Sequence, residues 1–142
     1  MLNKPEIQQN RITIPSDPAL IREVDEFVEL RLREHNLADT IIADIAICAT
    51  EVVNNGINHG NKQDLNKTVT LELKLDSDQV IIIVTDEGNS FDPTAIEDPV
   101  DPRNLLREVG RGIFIVKHLM DTVEIDRAEG GGTVVTITKK IA

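Results

Sequence analysis

Four short blocks carry side chains that could act together on a phosphorylated ligand: Glu51-x-x-x-Asn55-x-x-x-His59, Asp86-Glu87-Gly88, Gly110-Arg111-Gly112 and Gly130-Gly131-Gly132-Thr133. Together they supply a carboxylate base, an amide for a metal ion, an acid that reads a nucleobase and a glycine turn that holds phosphate. An uncharged amide oxygen at Asn55 can ligate Mg²⁺ without adding negative charge beside a triphosphate. Glu51, one turn away, can orient or deprotonate an attacking hydroxyl. Residues four apart on an α-helix drift by only about 40°, so Glu51, Asn55 and His59 share a face with Asn54 and Asn58. Exposed helix faces usually carry Lys and Glu, and solvation alone explains such a run of asparagines poorly.

Asp86 follows an apolar run, and Gly88 lets the backbone turn close to a ligand. A carboxylate there can accept a hydrogen bond from the exocyclic amine of adenine, which separates adenine from guanine. An ordinary strand-ending Asp-x-Gly turn has the same sequence. Gly110-Arg111-Gly112 precedes Ile113-Phe114-Ile115-Val116, which offers backbone N–H groups and a helix start to phosphate oxygens. Ile115 stands where a dinucleotide fingerprint has its third glycine, and no Gly-Lys-Ser/Thr follows, so neither that fold nor a P-loop fits. His59 alone reads as a surface or capping histidine, and no further His or Cys stands at zinc-ligand spacing. For Arg103, Arg107 and Arg111, contact with phosphate, with a partner or only with water all stay open.

These groups need elements to hold them. Residues 6–14 end in Arg11-Ile12-Thr13-Ile14 and read as an edge strand closed by Pro15. Asp17-Pro18 starts a helix to about His35, with Leu20, Val24, Phe27, Val28 and Leu32 at helical spacing. Asp39 can cap a second helix through about Asn58 whose apolar face is Ile42, Ile45, Ala46, Ala49, Val52 and Val53. Val69, Leu71, Leu73 and Leu75 alternate as a half-buried strand, and Val80 to Val84 is continuously apolar, as in a central strand, with Asp76-Ser77-Asp78 turning between them. Pro93, Pro99 and Pro102 break up the stretch that follows, and 92–109 reads as a lid. Gly112 to Met120 gives a helix, Val123 to Ile125 a strand, and Thr133 to Thr138 a last strand. The order β-α-α-β-β-lid-α-β-β predicts an α+β fold: a two-layer sandwich with helices on one face of a mostly antiparallel sheet.

Composition narrows the partners. The 142 residues suit a single domain over 1–142, and 25 acidic against 15 basic residues give a net charge of −10. That sign opposes direct binding to nucleic acid or anionic membrane, and with three aromatic residues, all Phe, no base-stacking platform is evident. A single cysteine, Cys48, within an apolar helical pattern reads as a small core residue in a reducing compartment. The N-terminal residues lack the apolar run of a signal peptide, and no stretch is expected to reach the roughly eighteen apolar residues of a spanning helix, so the expectation is a soluble cytoplasmic protein.

Taken together the blocks resemble the Bergerat-type (GHKL, histidine kinase-like) ATPases, and within them most closely the anti-sigma factor serine/threonine kinase branch. The likeness covers about residues 8–140 and rests on Glu51 to Gly60, Asp86 to Pro93 and Gly110 to Asp121. It implies ATP and Mg²⁺ as cofactors, Asn55 on the metal, Glu51 as catalytic base and Asp86 on adenine. Gly110 and Gly112 would lie against the phosphates and Thr133 would support Asp86, with His59, Gly88, Arg111, Ile113 and Phe114 completing the nucleotide site. It further implies a homodimer that binds a sigma factor and phosphorylates a STAS-domain anti-anti-sigma protein. Ser90 departs from the superfamily, which usually has glycine there. Two other functions fit the same residues: a module that uses ATP only to set its shape for protein binding, and the detached catalytic half of a two-component kinase.

Overall fold

Two hydrophobic periods sort the chain into two layers. The computed structural model describes residues 2–88 and 108–141. Its strands are β1 (Glu6–Gln8), β2 (Arg11–Pro15), β3 (Thr68–Leu75), β4 (Gln79–Asp86), β5 (Thr122–Arg127) and β6 (Thr133–Lys140), and its helices are α1 (Ile21–Arg33), α2 (Asp39–Asn55) and α3 (Glu108–Leu119). The strands form one antiparallel sheet in the order β1-β2-β3-β4-β6-β5. Helix α2 packs between α1 and α3. The core fills the space between this layer and one sheet face, with Val28, Leu32, Ile45, Val53, Ile82 and Ile137 fully enclosed. The expected α+β sandwich is the fold that forms.

Several boundaries differ from the sequence reading, each for a physical reason. Residues 6–14 are a hairpin rather than one strand: Gln9 takes a left-handed φ of 47°, and the chain turns there between β1 and β2. Pro15 lies inside β2, and the edge position belongs to β1. Asp17 does cap, accepting from Ala19 N at 3.0 Å, but the turn it caps is the 3-10 segment Pro18–Leu20 that leads into α1. Asp39 is the first residue of α2 rather than its cap; its carboxylate pairs with Arg33 at 3.3 Å, across the α1–α2 corner. Strand β4 is central as expected, yet only its even-numbered side chains are buried, while Ile81 and Ile83 are half-buried on the face that the helices leave uncovered.

Helix α3 starts four residues earlier than Gly112, so Gly110-Arg111-Gly112 lies within its opening turns rather than ahead of them. The proposed lid at 92–109 falls outside the described residues as far as 107, as do Ser90, Arg103 and Arg107; Glu108 and Val109 open α3. The helical stretch Asp39–Gly60 is, at 22 residues, long and apolar enough by composition to cross a membrane, contrary to the expectation from sequence. Half of its apolar window is buried, and Ile45, Cys48, Ala49 and Val53 lie in the protein core. Its apolarity is that of a helix packed between two others and a sheet.

Cys48 is fully buried, and burial beside Asp44 pushes its thiol up to about 11, which removes the thiolate at neutral pH. Iodoacetamide is therefore expected to label Cys48 only after denaturation; rapid labelling of the native protein would show that the α2 face opens. At the centre of the sheet, Ile82→Ala should cost about 2–5 kcal/mol in urea unfolding, and a loss under about 1 kcal/mol would mean the core relaxes around the cavity.

Candidate functional site at the ends of α2 and β4

Strand alternation delivers the central carboxylate. Asp86 has the parity of Val80, Ile82 and Val84, so the chain sends an acid to the core side of its central strand, where it is 8% exposed. Its Oδ1 accepts from Gly88 N at 2.9 Å and Thr133 N at 3.2 Å. Burial pushes the carboxyl above its ordinary range, and Glu87 adds to this; the two N–H bonds and the nearby charge of Lys67 oppose the shift without cancelling it.

Two backbones approach this acid closely. A Cβ on Gly60 would collide with the Asp86 carboxylate, and one on Gly132 with the Asp86 carbonyl oxygen. The last glycine block thus belongs to the end where Asp86 lies. Gly130 and Gly131, at φ of 88° and 107°, make the turn that brings Gly132 and Thr133 there. A second meeting point joins α2 to α3. Gly112 lies so close to Glu51 that a Cβ would overlap its carboxylate, which brings the proposed base and the Gly-Arg-Gly block together as expected.

Two polar atoms in this region are buried with no hydrogen-bond partner among the described residues: Asn55 Nδ2 and Thr133 Oγ1. Leaving such groups unpaired costs roughly 1–3 kcal/mol each, so water, a ligand or a group beyond the described residues has to satisfy them. Both lie among the residues that the family resemblance places at the nucleotide site. Other residues of the asparagine stripe are used differently. Asn58 Nδ2 donates to Asn54 Oδ1 at 2.9 Å, and Gln63 Nε2 donates to Asn58 Oδ1 at 2.8 Å, a ladder that spans the end of the helix.

The helix does not stay α-helical to Asn58. From Gly56 to Gly60 it widens into a π-turn, in which Asn61 N donates to Gly56 O at 2.8 Å. His59 lies within this wider turn and is exposed. Ile113 is buried at 4% exposure, whereas Phe114 is 44% exposed and stacks on His118 with ring centroids 6.5 Å apart. Among the described residues no hydrogen bond or ion pair joins Phe114 or His59 to Asp86. Gly110 and Arg111 lie in the first described turn of α3.

Sequence reasoning missed Asn61. It is 2% exposed; its Nδ2 donates to Ser16 Oγ and to Thr68 O, both at 2.9 Å, and its Oδ1 accepts from Glu87 N at 2.8 Å. An asparagine after His-Gly at a helix end reads as a loop residue, and nothing local in the sequence signals its long-range partners.

Residues 14–139 match the family described as the histidine kinase-like ATPase domain. The chain is 34% identical over 103 residues to an anti-sigma F factor of Clostridium beijerinckii, a match that covers 70% of this chain and 71% of the relative. It is 38% identical over 104 residues to the serine-protein kinase RsbW of Halalkalibacterium halodurans and 29% over 107 residues to that of Oceanobacillus iheyensis. Those two matches cover 69% and 71% of this chain, but only 62% and 66% of the kinases, so the chain spans just under two thirds of their lengths.

Because the folded-state pKa of Asp86 is raised, its contribution to stability is greatest at low pH and is lost as pH rises through that pKa. Asp86→Asn should therefore melt higher than wild type at pH 7 without nucleotide, and the gain should shrink as the pH falls and the wild-type carboxyl becomes neutral. A variant that melts below wild type at pH 7 would contradict the burial account.

Proposed function

The chain belongs to the histidine kinase-like ATPase family, in its anti-sigma factor and serine-protein kinase branch, and on that premise we propose that it binds Mg-ATP and phosphorylates a STAS-domain anti-anti-sigma protein on a serine or threonine. It is an ATP-dependent protein kinase that controls the availability of a sigma factor by partner switching. The observation that carries this reading is a pair of buried polar atoms without a partner among the described residues, Asn55 Nδ2 and Thr133 Oγ1, in a region that also holds Glu51 and the buried Asp86.

The residues present fit the nucleotide and its metal. Asp86 would receive the adenine amine on Oδ2, the oxygen to which neither Gly88 N nor Thr133 N donates. The Thr133 hydroxyl would meet the same base edge or a water bound to it. Asn55 would hold Mg²⁺ through its amide oxygen and donate its orphaned Nδ2 hydrogens to a phosphate oxygen. The ion, when bound, neutralises charge on the phosphates and holds them in one geometry. Gly110, Arg111 and Gly112 would offer the positive end of α3 to the phosphates, which offsets the acidity of Glu51 and Asp86. Glu51, set by its contact with Gly112, takes the proton of the incoming hydroxyl as that oxygen bonds to the γ-phosphorus and ADP departs.

The protein works in the bacterial cytoplasm as a homodimer, with the sigma factor and the STAS-domain protein as alternative partners. Its single buried thiol suits a reducing compartment. To test the assignment, the chain with Mg-ATP is incubated with the STAS-domain proteins of its host, and their intact masses are measured. One of them should gain a phosphate, and Glu51→Gln should abolish that gain while still binding ATP. Phosphorylation by the variant at the wild-type rate would remove Glu51 from the base role, and ATP binding without any phosphate transfer would leave a nucleotide-gated binding module.

A further inference from the structure

The four buried polar residues among those described, Ser16, Asn61, Asp86 and Thr133, form one connected series. Thr133 N donates to Asp86 Oδ1; the next residue, Glu87, donates its N–H to Asn61 Oδ1; and Asn61 Nδ2 donates to Ser16 Oγ. Ser16 Oγ donates in turn to Lys67 O at 2.7 Å. The series therefore runs from β6 through the end of β4 and the π-turn to the end of β2, across the whole base of the proposed site.

Asn61 is its branch point. Both of its amide hydrogens are used, on Ser16 Oγ and on Thr68 O, and its carbonyl oxygen receives the Glu87 N–H. Neither end can be exchanged. A flipped amide would set NH₂ against the Glu87 N–H and oxygen against the Thr68 carbonyl. Glu87 is held from a second side, since its Oε1 accepts from Thr68 N at 2.9 Å and from the Thr68 hydroxyl. The π-turn makes this possible: its one-residue-wider ring brings Gly60 against the Asp86 carboxylate and puts Asn61 under the strand ends.

We propose that Asn61 is the positioning residue of the purine pocket, fixing Asp86 through the Glu87 N–H so that discrimination of adenine from guanine depends on a side chain that does not touch the nucleotide. The proposal rests on the reading that Asp86 receives adenine. A carboxylate discriminates between an exocyclic amine and a carbonyl only while its oxygen is held at hydrogen-bonding distance and angle. Asp86 has no cation bridging it in the described residues, and what aims it is the backbone from Glu87 to Gly88 together with Thr133. If Asn61 is removed, Glu87 N and Thr68 O lose their partner and the turn can shift, which loosens the aim of the acid without altering it chemically.

The test is the ratio of ATP to GTP affinity, measured by fluorescence titration with labelled nucleotides for wild type, Asn61→Ala, Ser16→Ala, Asp86→Asn and Val28→Ala. Val28 is fully buried on α1 and serves as a control for lost stability alone. Asn61→Ala should lower the ratio by about tenfold or more, and Ser16→Ala, which removes one of the three Asn61 partners, should lower it by about threefold. Val28→Ala should leave it unchanged at a comparable loss of thermal stability. If Asn61→Ala does not fold, the graded effect of Ser16→Ala decides, and an unchanged ratio there overturns the proposal. Wild type selective for ATP, Asp86→Asn unselective and Asn61→Ala still selective would overturn the role of Asn61 alone. A wild type that binds both nucleotides equally would overturn the adenine reading and the proposal together.

Discussion

The structure is organised around a carboxylate that is expensive to bury. Asp86 ends the central strand on its core side, and burial alone disfavours its charge. The protein keeps it there with two backbone N–H groups, from the turn that follows β4 and from the start of β6, and with glycines whose missing side chains admit neighbouring backbone at contact distance. A stable core would place valine or isoleucine at that position, as it does at three positions before it on the same face. An acid there is what the proposed nucleotide site requires.

That constraint explains the irregular end of α2. A regular helix would leave the segment after Asn55 too tightly wound to reach both Asp86 and the ends of β2 and β3. Widening at Gly56 lets Gly60 lie on the carboxylate and Asn61 enter the space under the strand ends, followed by two left-handed residues, Lys62 and Gln63, that turn the chain toward β3. Glu51 and Asn55 on the α-helical part of α2 are thereby joined to Asp86 on β4 through one continuous turn. Gly112 completes it from the third helix by contact with Glu51. Each half of a nucleotide site has its own element, and the π-turn joins them.

Much of this was legible in the sequence, because the relevant signals are local. Period-two alternation in β3 and helical spacing in α1 and α2 survive in the structure, and the Glu51–Asn55 spacing and the Asp86-Glu87-Gly88 turn lie at the two ends of the candidate site. What was not legible depends on long-range contact. The hairpin at Gln9 has no glycine or Asn-Gly signal, and its left-handed residue is a glutamine. Asp39 looks like a cap by type, but Arg33 at the end of the preceding helix claims it. Glu108 and Val109 carry little helical pattern of their own, which hid the start of α3. The π-turn has no sequence period, and Asn61 draws its importance from Ser16, Thr68 and Glu87, none of them helical neighbours.

In the function proposed for this protein, Asp86 is a hydrogen-bond acceptor aimed at the exocyclic amine of adenine. Titration calorimetry of the wild-type chain with Mg-ADP and with Mg-inosine diphosphate, which replaces that amine by a carbonyl oxygen, tests it most directly. The account predicts that the adenine nucleotide binds at least about tenfold more tightly, because the inosine carbonyl would face a buried carboxylate. Equal affinity for the two would contradict it.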